Sequence, residues 1–192
     1  MKRLVIITVG KTHSGKTTFA RALEKELNNC FVMDQDNHAE FINTFYKNLQ
    51  PKLGPNTLKH ALSKLIVDYA KEHTDLNLII CNSNRSRNGR VYLLEELFNK
   101  DEFIRILVHF DIPDDVLLER VTQSRRSTNI FRGAYSNFEE VLDRQQTESL
   151  QEDVTDPVEG EADYLFVIKD NEEVDFVIKE VVHIATCLSV VR

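Results

Sequence analysis

The sequence predicts an α/β fold in three layers, a parallel sheet with helices on both faces. Three observations predict it. Short apolar, β-branched runs alternate with longer stretches of helical spacing from one end of the chain to the other. The strand runs are continuously apolar, the pattern of strands covered on both sides. The first of them breaks into a glycine-bounded turn and then a helix, within Val5 to Phe19.

Taken in order, the elements follow from local chemistry. Leu4–Val9 is a buried strand, and Phe19–Leu27 has helical spacing. A second strand at Phe31–Met33 leads to helices over His38–Leu49 and Leu58–His73. Pro51 and the Gly54-Pro55 pair separate those helices, and Asn56 is placed to cap the second. That helical pair is larger than a simple crossover needs, so it supplies either packing bulk or a wall for a second substrate. Strand Leu76–Cys81 precedes helix Val91–Phe98, and strand Ile104–Phe110 precedes helix Asp114–Val121. Helix Phe138–Leu150 is followed by an acidic segment, Glu152–Glu161, whose Pro157 and Gly160 mark a surface loop. Strand Tyr164–Ile168 and helix Val174–Leu188 close the pattern.

A chain of 192 residues fits one domain, 1–192, with room for a full core. A net charge of −7 argues against broad, nonspecific nucleic-acid binding but leaves a local basic groove open. Arg120, Arg125, Arg126 and Arg132 form such a basic cluster just before a stretch dominated by acids, Glu139 to Glu180. The three cysteines, Cys30, Cys81 and Cys187, are dispersed and suit reduced thiols in a cytoplasmic protein. Met1-Lys2-Arg3 and the apolar run after it are too short for a signal peptide, and no run reaches transmembrane length.

The turn after the first strand reads Gly10-Lys11-Thr12-His13-Ser14-Gly15-Lys16-Thr17-Thr18. Gly10 and Gly15 let the backbone bend so that successive N–H groups, from Thr12 through Thr18, cradle phosphate oxygens. Lys16 brings a point charge to the outer phosphates, and the Thr17 hydroxyl can ligate Mg²⁺. The helix that follows turns its positive end toward the same anion. The chain is therefore expected to bind a nucleoside triphosphate.

Three further constellations flank that turn. Asp34 and Asp36 stand at the carboxyl end of the second strand, where open α/β sheets bind ligands. One carboxylate can hold Mg²⁺ and the other can take a proton from an attacking hydroxyl. Asp34 is read as the metal partner, and Asp36, lying further out, as the base. Either could instead cap the next helix. The turn after strand three, Asn82-Ser83-Asn84-Arg85-Ser86-Arg87, carries amides, hydroxyls and arginines instead of a carboxylate. That chemistry suits substrate binding or positioning a phosphate. The stretch Arg120 to Arg132 reads as a basic lid spanning about 122–136, with Arg125 and Arg126 over the transferring group. His13 occupies a variable position of the loop and is read as tolerated there, though its amide belongs to the phosphate cradle. His38-Ala39-Glu40 lacks the cysteine half of a zinc deaminase signature. Cys81 reads as a small strand residue.

With these residues in view, the whole chain resembles small P-loop ATP-dependent kinases of the AAA-domain type, relatives of polynucleotide kinase, zeta toxins, gluconate kinases and adenylylsulfate kinases. The resemblance rests on Gly10–Thr18, Asp34-x-Asp36, Asn82-Ser83-Asn84, the lid and the stretch from Ser136 to Gln145. It implies the P-loop NTPase fold with five parallel strands in the order 2-3-1-4-5. It implies an Asp36 that activates the acceptor hydroxyl, Arg125 and Arg126 on the ATP phosphates, and Lys169–Asn171 beside the adenine, Asn171 included. Ala39 stands where several relatives carry an arginine, a departure that bears on acceptor recognition. The expected activity is transfer of the γ-phosphoryl group of ATP, with Mg²⁺, to a hydroxyl of a small-molecule or nucleotide-like acceptor. The alternatives are a polynucleotide 5′-hydroxyl kinase and a nucleotide-dependent switch without transferase activity.

Overall fold

The computed structural model describes residues 2–51, 53–131 and 135–190. Five strands form one parallel sheet in the order β2-β3-β1-β4-β5, the order implied by the resemblance. They are β1 (Arg3–Val9), β2 (Cys30–Asp34), β3 (Asn77–Cys81), β4 (Phe103–Phe110) and β5 (Tyr164–Ile168). The central strand β1 registers Ile6 against Ile79 of β3 and against Ile106 of β4. The helices are α1 (Lys16–Glu26), α2 (Gln35–Phe45), α3 (Thr57–His73), α4 (Arg87–Val91), α5 (Asp114–Thr122), α6 (Phe138–Glu148) and α7 (Glu173–Val190). The chain runs on from α4 through a π-helical turn at Tyr92–Leu97.

Every residue from Leu4 to Val9 is buried, which is why β1 reads as an unbroken apolar run. Its side chains divide between two cores. Leu4 and Ile6 join Phe19 and Leu23 of α1, Leu117 of α5, Leu142 of α6 and Val181 of α7. Val5, Ile7 and Val9 face the opposite way, toward Val67 of α3 with Leu94 and Phe98. Each such side chain contributes roughly 1.5–3 kcal/mol by burial, so the centre of the sheet is a firm base for whatever is built at its carboxyl edge.

Several boundaries differ from expectation, among them that of the expected helix Val91–Phe98, which is α-helical over Arg87–Val91 and π-helical over Tyr92–Leu97. Helix α1 begins at Lys16, three residues early, directly after the left-handed Gly15 (φ 104°). Helix α2 begins at Gln35 because the Asp34 side chain accepts a hydrogen bond from Asp36 N at 2.9 Å and caps it. It ends at Phe45 and gives way to a 3-10 turn over Lys47–Leu49. The acidic segment after α6 does more than cover surface. Glu161 holds the fully buried Arg90 through two bonds, 2.8 and 3.0 Å, and Asp153 accepts from Ser86 Oγ at 2.5 Å. Among the described residues, no helix is long and apolar enough to cross a membrane.

Candidate functional site

A cleft of about 900 Å³ opens over the carboxyl ends of β1, β2 and β3, the edge at which doubly wound sheets take ligands. One wall is the loop from Gly10 to Gly15. Gly10 N donates to Ser83 O at 2.9 Å, and Asn84 Nδ2 donates to Thr8 O at 2.9 Å. The turn after β3 is thus stitched to the end of β1 and to the start of the loop. At Gly10 (φ 151°) a Cβ would lie 3.0 Å from the Phe110 carbonyl oxygen, so glycine is required by space and by dihedral.

Lys16 Nζ folds back onto the Lys11 carbonyl and onto Ser14 Oγ, 3.0 Å away. Burial pushes its ammonium down to about 8. An anion in the loop would offset that desolvation. Thr17 Oγ1 donates to Asp34 Oδ2 at 3.4 Å, and Cys81 Sγ lies 3.6 Å from the same hydroxyl. Asp34 is buried, and burial raises its carboxyl above the usual range. Burial likewise drives the Cys81 thiol up to about 11, so it is a neutral neighbour. Two hard oxygen donors, Thr17 and Asp34, fit the chemistry of Mg²⁺. A carboxylate absent from the end of β3 is present here at the end of β2.

Asp36 lies two residues past Asp34, in the first turn of α2, and lines the same cleft. Its Oδ2 is 2.6 Å from Arg126 Nη2, in a pair about one-third exposed on each side. Arg126 comes from the irregular stretch after α5, which rests on α2. Asn43 Nδ2 donates to the carbonyls of Asn129 and of Phe131, the latter at 3.0 Å, and Asn129 Nδ2 donates to Thr44 Oγ1 at 2.9 Å.

Of the residues singled out from sequence, the cleft lining includes Thr12, His13, Gly15, Lys16, Thr17, Thr18, Asp34, Asp36 and Arg126. Ser14 lies beneath the loop, buried against Lys16. Arg125 is exposed and does not line the cleft. Asn171 is exposed too, its Oδ1 accepting from Arg120 Nη2 at 3.1 Å, while Arg120 Nη1 donates to His13 O at 3.3 Å. Arg132 falls outside the described residues. The sequence reading missed Gln145 of α6, whose Oε1 accepts from Thr12 N at 2.6 Å, and the aromatic residues Phe131, Tyr135 and Phe138 on the lid side of the cleft. Their only signal was position, next to the basic stretch and at the start of α6.

A family model for an AAA domain matches residues 5–150. Among solved structures, APS kinase of Mycobacterium tuberculosis in complex with AMPPNP and APS superposes with a TM-score of 0.61. It is 15% identical over 96% of this chain and 98% of its own. Shikimate kinase from Bacteroides thetaiotaomicron gives 0.56 at 14% identity, covering 95% of this chain and 98% of its own. A gluconokinase from Sinorhizobium meliloti gives 0.54 at 14% identity, covering 95% and 92%. No curated protein matches the chain by sequence. At these identities the structural likeness is one of fold.

Proposed function

The chain belongs to the AAA domain family, with the fold of the small P-loop kinases, and we propose that it is an ATP-dependent kinase. It transfers the γ-phosphoryl group to a hydroxyl of a small-molecule or nucleotide-like acceptor. One observation carries this reading: the phosphate loop and the Asp36 carboxylate share a cleft large enough for two substrates.

The loop amides and Lys16 bind and orient the polyphosphate. Thr17 and Asp34 would hold Mg²⁺, which when bound neutralises developing charge on the phosphoryl oxygens. Arg126 starts on Asp36. An exposed pair of this kind is worth about 0–1 kcal/mol, so a polyphosphate competes for the guanidinium and leaves the carboxylate facing the acceptor. The acceptor oxygen then attacks the γ-phosphorus, the bridging P–O bond to ADP breaks, and Asp36 takes the hydroxyl proton. Arg126 and Arg120, both in the cleft wall, stabilise the charge on the group in flight. Shikimate, APS and gluconate kinases on this fold support a small acceptor over a polynucleotide, as does the net charge of −7. The dispersed cysteines support a cytoplasmic location.

The test is a screen of sugars, nucleosides, nucleotides and carboxylated small molecules for acceptor-dependent ADP release. With the acceptor so found, Asp36→Asn lowers transfer about 10²–10⁴-fold, and AMPPNP affinity stays within about threefold, under 1 kcal/mol. An Asp36→Asn enzyme with normal turnover removes Asp36 from the reaction, and a screen with no active acceptor refutes the kinase reading.

A further inference from the structure

Helix α3 brings charge to the cleft from the β2 side of the sheet. The phosphate loop follows β1, whereas α3 packs on α2 and β2. Strand β2 is two places from β1, about 10 Å at the usual strand spacing. Asn56, Lys59 and His60, from the cap and first turn of α3, nonetheless line the same cleft. The electrostatics separate the two sides. The charge of Arg126 acts on His13 and Lys16, whereas that of Lys59 acts on His38 and His60. Burial, with Lys59 nearby, lowers the His60 imidazole below its ordinary range. One cross-link sets Lys59 relative to Asp36. Ser63, buried one turn after Lys59, donates its hydroxyl proton to Lys59 O at 2.8 Å. Having spent that proton, it accepts from His38 Nδ1, 2.8 Å away and two residues past Asp36. The cleft is also positive in a chain of net charge −7. Lys16, Lys59, Arg120, Arg126 and Arg144 line it against two carboxylates, Asp34 and Asp36. A magnesium-bound triphosphate brings a charge of about −2, which leaves a surplus of about one positive charge.

We propose that Lys59, with Asn56 and His60 beside it, binds an anionic group of the phosphoryl acceptor, so that the acceptors are hydroxyl compounds that also carry a phosphate or a carboxylate. The inference rests on the kinase reading and deepens it. The anion docks on Lys59, and the hydroxyl end of the same molecule lies at Asp36. A neutral polyol lacks the handle that orients it there. Lys59 is remote from the reacting atoms and holds ground state and transition state alike, so its loss is read in KM more than in kcat.

Two measurements test it. In the first, each neutral sugar of the acceptor screen is run beside its phosphate monoester and its aldonic acid, and each nucleoside beside its monophosphate. The anionic member should exceed its neutral parent in kcat/KM by about tenfold or more, and the better of the two acids tells a phosphate handle from a carboxylate one. With that acceptor, Lys59→Met, which keeps the length of the side chain, should raise KM about tenfold or more and lower kcat less than about threefold. Lys59→Arg, which keeps the charge, should restore most of the loss. A neutral parent used as well as the anion, or an unchanged KM in Lys59→Met, overturns the inference. The second measurement needs no turnover. With the loop saturated by AMPPNP and Mg²⁺, inorganic phosphate or acetate is titrated against the histidine ring resonances in NMR spectra. One of the two anions should shift the His60 resonance and raise its pKa in the wild-type chain, and neither should do so in Lys59→Met. No response of His60 to either anion overturns the inference whatever the screen gives. A chain that binds AMPPNP and responds at His60 but phosphorylates no compound strikes the kinase reading and leaves the anion site standing.

Discussion

The two walls of the cleft are held in different ways. The phosphate loop hangs from β1, whose residues Leu4 to Val9 are all buried, and is tied to the turn after β3 by a main-chain bond from Gly10 N to Ser83 O. The opposing stretch, residues 123–131, has no regular helix or strand and leans on other elements through side chains: Arg126 on Asp36, Ser124 on His13, and Asn43 on two of its carbonyls. A wall fixed by backbone geometry and a buried strand stands ready before any ligand arrives. A wall held by a few side-chain contacts, each worth about 0.5–1.5 kcal/mol, is the one a polyphosphate could rearrange by competing for them.

Substitutions on each wall should break in correspondingly different ways. Lys16→Ala removes the ammonium proposed to meet the phosphates. AMPPNP affinity measured by titration calorimetry should fall about tenfold to a hundredfold, the scale of a charge-assisted hydrogen bond. Unchanged affinity would put the phosphates elsewhere. Gly10→Ala forces a Cβ to within 3.0 Å of the Phe110 carbonyl oxygen at φ 151°, and should destabilise the fold by about 1–3 kcal/mol. Thr128→Ala, on the exposed lid, should stay within about 0.5 kcal/mol. Equal melting temperatures for the two variants would erase the contrast between the walls. Within the lid, Arg126→Ala should lower transfer about tenfold or more, the scale of one lost charge-stabilising contact. Arg125→Ala, exposed outside the cleft, should cost under about threefold. The reverse ranking would mean that the lid closes with a different face inward.

The same contrast explains what could be read from the sequence. The phosphate loop was legible because it is contiguous: nine residues carry the strand exit, both left-handed glycines, the lysine and the hydroxyl. The three central strands were legible because burial on both faces leaves short, continuous apolar runs. Asp34 at the end of β2 was visible, but its capping bond to Asp36 N pulled the start of α2 back to Gln35, because one side chain can both cap a helix and face a ligand. His13 passed as a tolerated loop residue because its partner Ser124 lies 111 positions away. The same separation hid Gln145, which is 133 positions from Thr12. Of two adjacent arginines, sequence could not select Arg126, because the choice depends on how an irregular stretch turns. Arg90 gave no signal at all, since its buried pairing with Glu161 is made by a segment that reads as a solvated acidic loop.

The central claim is that a triphosphate lies against Lys16 in a loop prepared for it. Titration calorimetry of the wild-type chain with AMPPNP and Mg²⁺ near pH 8, repeated in buffers of different ionisation enthalpy, tests it most directly. With its pKa lowered to about 8, Lys16 is partly deprotonated there, and an adjacent polyphosphate raises that pKa by favouring the charged form. Binding should therefore take up about half a proton at pH 8 and less as the pH falls toward 6, an uptake that Lys16→Ala abolishes. Heat with no buffer dependence, or no binding of AMPPNP at all, would contradict the account.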